Sequence, residues 1–115
     1  MNDLKKFVYF HDWNIDILAV REGNRLILGL NFDDKRATVT FAGTSRCVVE
    51  HFGMVNIVYD IKLLQPDDAR YAKVLAVLEK SDRYSHTPGH QIAVVSATAG
   101  AELVVEFDSL EIELA

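Results

Sequence analysis

The residues able to do chemistry are few in this 115-residue chain: four histidines, one cysteine and 17 carboxylates. His11-Asp12 sets an imidazole beside a carboxylate, the pairing that general acid–base catalysis needs. Adjacent residues of an extended segment point to opposite faces, so sequence proximity alone makes no dyad. No Ser or Cys stands in a nucleophile-elbow context. The expected role of the pair is to cap or hydrogen-bond the start of the first long strand. His86 and His90 would share one face of a helix, but Pro88-Gly89 between them breaks any helix, and zinc needs further ligands. No metal site and no cofactor is expected. Cys47, in Ser45-Arg46-Cys47-Val48-Val49, reads as a small buried hydrophobe. Arg46 is the one cation near enough to lower its pKa, and its side chain should leave the opposite strand face. The glycines of Glu22-Gly23-Asn24 and Ala42-Gly43-Thr44 stand alone in turns, and neither a dinucleotide-binding fingerprint nor a P-loop is present. A non-enzymatic protein is expected.

Charge is more informative. The net charge of −5 argues against a nucleic-acid binder; Lys5, Lys6, Phe7 and Tyr9 are the one small basic and aromatic grouping. Residues 1–83 hold all 12 basic residues and 12 of the acids, so the entire excess lies in residues 84–115. There Glu102 and Glu106 alternate with Leu103, Val105 and Phe107, and Glu111 and Glu113 alternate with Ile112 and Leu114. Glu102, Glu106, Asp108, Glu111 and Glu113 are therefore expected on the solvent side of neighbouring strands, with Asp60 beside them if its strand neighbours theirs. Such a face is either a solvated surface that discourages sheet aggregation or a docking face for a basic partner, which complementary charge would steer. Tyr84 and Phe107 are the nearest aromatic anchors in sequence.

The elements that must position these residues are mostly strands. Residues 25–32 place Leu26, Leu28, Leu30 and Phe32 on one face at period two. Residues 36–41 and 55–63 alternate in the same way, and 14–21 and 45–51 complete the first half. The connections are short, so hairpins and a meander of four or five strands are expected. The period then changes: Tyr71, Val74, Leu75 and Leu78 share a helical face. Pro66, Asp67 and Asp68 are helix-start signals, which predicts a helix at 66–82. A loop at 83–90 leads to strands at 91–98, 101–107 and 110–114. Residues 1–12 are open between helix and strand. The chain is expected to be one domain over 1–115 with an α+β fold: a mainly antiparallel, strongly twisted sheet, open or curled into a partial barrel, with the helix packed on it. No run is long and apolar enough for a membrane span, and the apolar stretch after Met1 is too short for a signal peptide. A lone Cys suits a reducing compartment, so a cytoplasmic location is expected.

The order of features resembles a group of small bacterial immunity proteins encoded beside polymorphic or contact-dependent growth-inhibition toxins. The matching pieces are Phe10-His11-Asp12-Trp13-Asn14-Ile15, Arg36–Gly43 ending Thr-Phe-Ala-Gly, Phe52, Asn56-Ile57-Val58-Tyr59-Asp60-Ile61, Ile92–Ser96, Ala101-Glu102-Leu103 and Leu110-Glu111-Ile112. Many members carry an aromatic–Gly pair after the Ser of the penultimate strand, where this chain has Thr98-Ala99-Gly100. The resemblance implies neutralisation by binding, of a nuclease or other toxic domain, and supplies no catalytic residue. Nuclease clefts are basic because they neutralise phosphates, so the acidic residues, with Tyr84, would be the contact residues for a basic cognate toxin. The alternative is a small-ligand-binding module with a pocket in the curled sheet, lined by Trp13, Tyr59 and His11. No oligomeric state is implied.

Overall fold

A computed structural model describes residues 10–81 and 91–114. Turn residues set the strand limits: β1 (Asn14–Arg21), β2 (Arg25–Phe32), β3 (Lys35–Ala42), β4 (Arg46–Glu50), β5 (Ile57–Leu64), β6 (Gln91–Ala99), β7 (Glu102–Phe107) and β8 (Ser109–Leu114), with one helix among the described residues, α1 (Tyr71–Leu78). The eight strands form one sheet in the order β4-β7-β6-β5-β1-β2-β3-β8. Every pairing is antiparallel. The fold is thus α+β and mainly β, and the sheet is open rather than closed into a barrel.

Period-two burial accounts for the core. Leu26, Leu28 and Leu30 of β2 face the same interior as Ala37, Val39 and Phe41 of β3 and as Leu103, Val105 and Phe107 of β7. The sheet curls enough to bring β3 over β7, where Phe41 and Phe107 meet edge to face with ring centroids 4.9 Å apart. Such aromatic pairs contribute about 0.5–1.5 kcal/mol beyond their area. Trp13 closes one part of the interior, standing edge-on to Phe10 at 5.2 Å and stacked on Phe32 at 5.9 Å. The opposite sheet face carries a second, smaller core, in which Leu78, Val74 and Leu75 of α1 cover Leu64, Ile92, Val94 and Val104.

Two differences from the expected topology matter for the site. The meander covers β1–β2–β3 only. The link Ala42-Gly43-Thr44 has hairpin length, yet β4 does not fold back on β3. The Thr44 amide donates to Asn24 O and the Ser45 amide to Glu106 O, and β4 continues past a corner to pair with β7. Likewise β8 does not extend the β6–β7 hairpin; it pairs with β3, with Glu111 opposite Thr40 and Glu113 opposite Thr38. The predicted helix at 66–82 shortens to Tyr71–Leu78. Residues 66–70 form turns instead, because Asp68 accepts from the Arg70 amide through its side chain and from the Tyr71 amide through its carbonyl. Beyond Leu78, the Lys80 and Ser81 amides bond to Val77 O and Leu78 O, a tightened last turn.

Candidate functional site: the loop between β4 and β5

The acidic residues do not form one face. Asp60 is on β5, whose neighbours are β6 and β1, and it lies 3.8 Å from Lys62 Nζ. Glu111 and Glu113 are exposed on β8, the end strand beside β3. Asp108 is exposed at the corner between β7 and β8, its amide donating to Ala42 O. Glu102 is exposed at the start of β7. Glu106 is 4% exposed, against the expectation of a solvent position. Alternation does turn it away from the main core, but that side of β7 is covered rather than wet. Arg46, directly opposite on β4, donates to it from Nε at 3.2 Å and from Nη2 at 3.0 Å, and the Ser45 hydroxyl donates at 2.5 Å. Tyr84, His86, His90, Lys5, Lys6, Phe7, Tyr9 and the 83–90 loop lie outside the described residues.

The remaining candidates are placed plainly. Residues 10–12 form a turn in which Asp12 takes φ 72°, so the pair His11-Asp12 is not extended. His11 Nε2 comes to 3.5 Å from Asp12 Oδ1. The ring donates from Nδ1 to Tyr59 O at 2.7 Å and meets the Tyr59 ring edge-on. The pair is thus tied to β5, and both side chains are open to solvent. Of the aromatic candidates, Trp13 is buried while Tyr59 is exposed. Cys47 is half-buried against the core, and burial pushes its thiol up. Its neighbour Arg46 leaves the other strand face, as alternation requires.

The sequence patterning passed over a better site. Between β4 and β5, Phe52, Met54 and Val55 are exposed, Met54 by 98%. A loop presenting three apolar side chains to water would ordinarily be loose. Here it is fixed from below by Asn56, 2% exposed. The Asn56 Nδ2 donates to Ile15 O at 3.1 Å and to Gly53 O at 2.8 Å. Its Oδ1 accepts from the amides of Gly53 at 2.9 Å and Ala101 at 3.0 Å. Its own amide donates to Asn14 Oδ1. One side chain thereby joins β1, the loop and the β6–β7 turn, and every polar atom of its amide is used.

Gly100 completes the brace. It has φ 79°, and a Cβ there would overlap Val55 O and Asn56 Oδ1. Acid flanks the loop: Glu50 and Glu102 stand directly opposite each other, both exposed, and His51 Nδ1 lies 3.5 Å from Glu102 Oε1. Like charges opposed across strands are unfavourable unless something compensates them. The arrangement is an apolar tip held by hydrogen bonds beside a negative rim. The signal in sequence is Phe52-Gly53-Met54, which falls between the strand segments 45–51 and 55–63 and belongs to neither. Compared with known proteins, the chain matches no family model, and no curated protein matches it at a significant level.

Proposed function

We propose that the protein is a non-enzymatic immunity or inhibitor protein that binds and neutralises a cognate toxin domain of basic surface. The observation that carries this reading is the loop at 51–56, braced by Asn56 and exposing Phe52, Met54 and Val55 beside Glu50 and Glu102. Pre-organised apolar side chains lose little freedom on binding, which is how compact interfaces gain affinity. A central apolar anchor with a charged rim is the usual distribution of interface energy. The negative rim selects a partner whose pocket is ringed by Lys or Arg, as a nuclease cleft is. This reading keeps Glu102 of the acidic segment as a contact and gives Glu106 a structural role.

The test uses the full chain and the C-terminal domain of the toxin encoded beside it. Toxicity should be suppressed by co-expression, and binding should be measurable by calorimetry. Met54→Asp should weaken binding by about 2 kcal/mol or more, roughly 30-fold. Glu50→Lys with Glu102→Lys should slow association and flatten its salt dependence. An adjacent domain that neither binds nor is suppressed, or binding that Met54→Asp leaves unchanged, overturns the proposal.

A further inference from the structure

The β1–β2 hairpin does more than connect two strands. Its tip and the corner between β3 and β4 border a half-open cavity of about 280 Å³, lined by Val20, Arg21, Leu26, Arg25, Ser45 and Cys47 among others, with Ser81 beyond α1 at one side. Its wall is mostly apolar. Leu26 is buried, Cys47 half-buried, and Val20 is 78% exposed. That last value is unusual for a strand valine whose cross-strand partner, Leu26, is in the core. The volume lies just under the range of about 300–1,000 Å³ in which ligand pockets fall, so an occupant is limited to a single ring or a short chain.

Among the described residues the charges around this cavity are mostly positive: Arg21, Arg25 and Arg46 line it, with Glu22. Arg46 is already neutralised by Glu106. Arg21 and Arg25 stand directly opposite each other across the hairpin. Among the described residues each guanidinium bonds a backbone carbonyl: Arg21 Nη1 to Val20 O at 3.4 Å and Arg25 Nε to Glu22 O at 2.9 Å. Neither meets a carboxylate among the described residues. Two opposed, unneutralised cations repel, and an anion placed between them removes that repulsion. Guanidinium is also the side chain best shaped for a carboxylate.

The geometry points to a binding site for a small amphipathic carboxylate: an apolar body seated against Val20, Leu26 and Cys47, and its charge held by Arg21 and Arg25. This site is separate from the loop at 51–56. The two lie at opposite ends of β4, and neither depends on the other.

The test titrates the full-length protein with octanoate and, in parallel, with 1-octanol. The readouts are amide chemical shifts and the alkylation rate of Cys47 by iodoacetamide; Cys47 is the one cysteine of the chain. Octanoate should shift the amides of Leu26, Ser45 and Cys47 saturably and slow alkylation, and 1-octanol should bind at least about tenfold more weakly. Arg21→Gln with Arg25→Gln should bring octanoate down to the alcohol. Val20→Trp adds bulk at an exposed position rather than in the core, so it should leave the fold intact and abolish both. The proposal is overturned if octanoate gives no saturable shifts at these amides. It is equally overturned if the alcohol matches it or if the double arginine variant binds it unchanged.

Discussion

Glu106 of β7 and Arg46 of β4 face each other across the strand pair and share two hydrogen bonds, both side chains nearly excluded from water. The pair sits where the β3–β8 ladder gives way to the β4–β7 ladder, so it fixes the corner around which the sheet turns. Ser45, which makes that corner, donates to the same carboxylate. The arrangement uses an ion pair where most of the surrounding strand residues are apolar. That is costly to assemble, since both ions lose their hydration, and costlier still to break.

Removing one partner should therefore show. Glu106→Gln or Arg46→Met is expected to destabilise the protein by about 3–5 kcal/mol in urea unfolding, because each leaves an uncompensated buried charge or its unmet donors. Ser45→Ala should cost less, about 1.5–3 kcal/mol, for one hydrogen bond to a charged group. Replacing both Arg46 and Glu106 by apolar residues of similar volume should recover most of the loss. Glu111→Gln, on exposed β8, should change stability by less than about 0.5 kcal/mol. Equal effects at Glu106 and Glu111 would contradict the buried pair.

A second ion pair gives a pH signature. Arg36 binds Asp16 through two parallel bonds, Nη1 to Oδ2 at 3.0 Å and Nη2 to Oδ1 at 2.8 Å. The Arg36 hydrogen bonds hold the Asp16 carboxyl below its usual range. A carboxyl with a depressed native pKa adds stability above its unfolded value of about 3.9, and that contribution is lost as pH falls through the lowered native value. The pair is partly exposed and screened by solvent, so its contribution is small. Arg36→Gln should lower stability slightly at pH 7 and not at all at the acid end, read from denaturant midpoints at the two pH values. A difference that persists undiminished in acid would exclude the linkage.

The strand limits were legible because alternation and turn residues are local. Leu26, Leu28 and Leu30 declare a face, and Glu22-Gly23-Asn24 and Asp33-Asp34 declare its ends. Partner choice was not legible, because period two says which side a residue faces and nothing about what lies opposite. The short Ala42–Thr44 link reads as a hairpin, and only the distant β7 makes it a corner. Glu106 illustrates the same limit. Its alternation away from Val105 and Phe107 is plain in the sequence, but whether that side is wet depends on Arg46, 60 residues away in the chain. The helix starts later than Pro66, Asp67 and Asp68 predict because Asp68 can cap a turn as well as a helix. The loop at 51–56 was hidden for a different reason: exposed apolar residues look like an interrupted strand until Asn56 is seen holding them apart from the core.

Glycine tests the brace around that loop. Gly23 and Gly100 have nearly equal left-handed conformations, φ 78° and 79°. A Cβ at Gly23 meets nothing within 4 Å, whereas one at Gly100 would overlap Val55 O and Asn56 Oδ1. Gly23→Ala should cost only the left-handed backbone penalty, about 1–2 kcal/mol. Gly100→Ala should cost clearly more, since backbone must move and the Asn56 bonds with it. Thermal melts of the two variants make the comparison directly, and equal losses would show that the β6–β7 turn does not press on the loop.

Stability and recognition should separate cleanly within the loop. Asn56→Ala removes acceptors and donors from Ile15 O, Gly53 and the Ala101 amide. Ile15 and Ala101 are buried, so groups left unmet there cost about 1–3 kcal/mol each. Met54→Ala, at a side chain 98% exposed, should leave the unfolding midpoint within about 0.5 kcal/mol of the parent. Amide hydrogen exchange at Gly53 and Ala101 should accelerate in Asn56→Ala and stay slow in Met54→Ala, because only the first unties the loop from β1 and the β6–β7 turn. If Met54→Ala destabilises as much as Asn56→Ala, the methionine belongs to the fold. The loop would then lose its standing as a surface built to meet a partner.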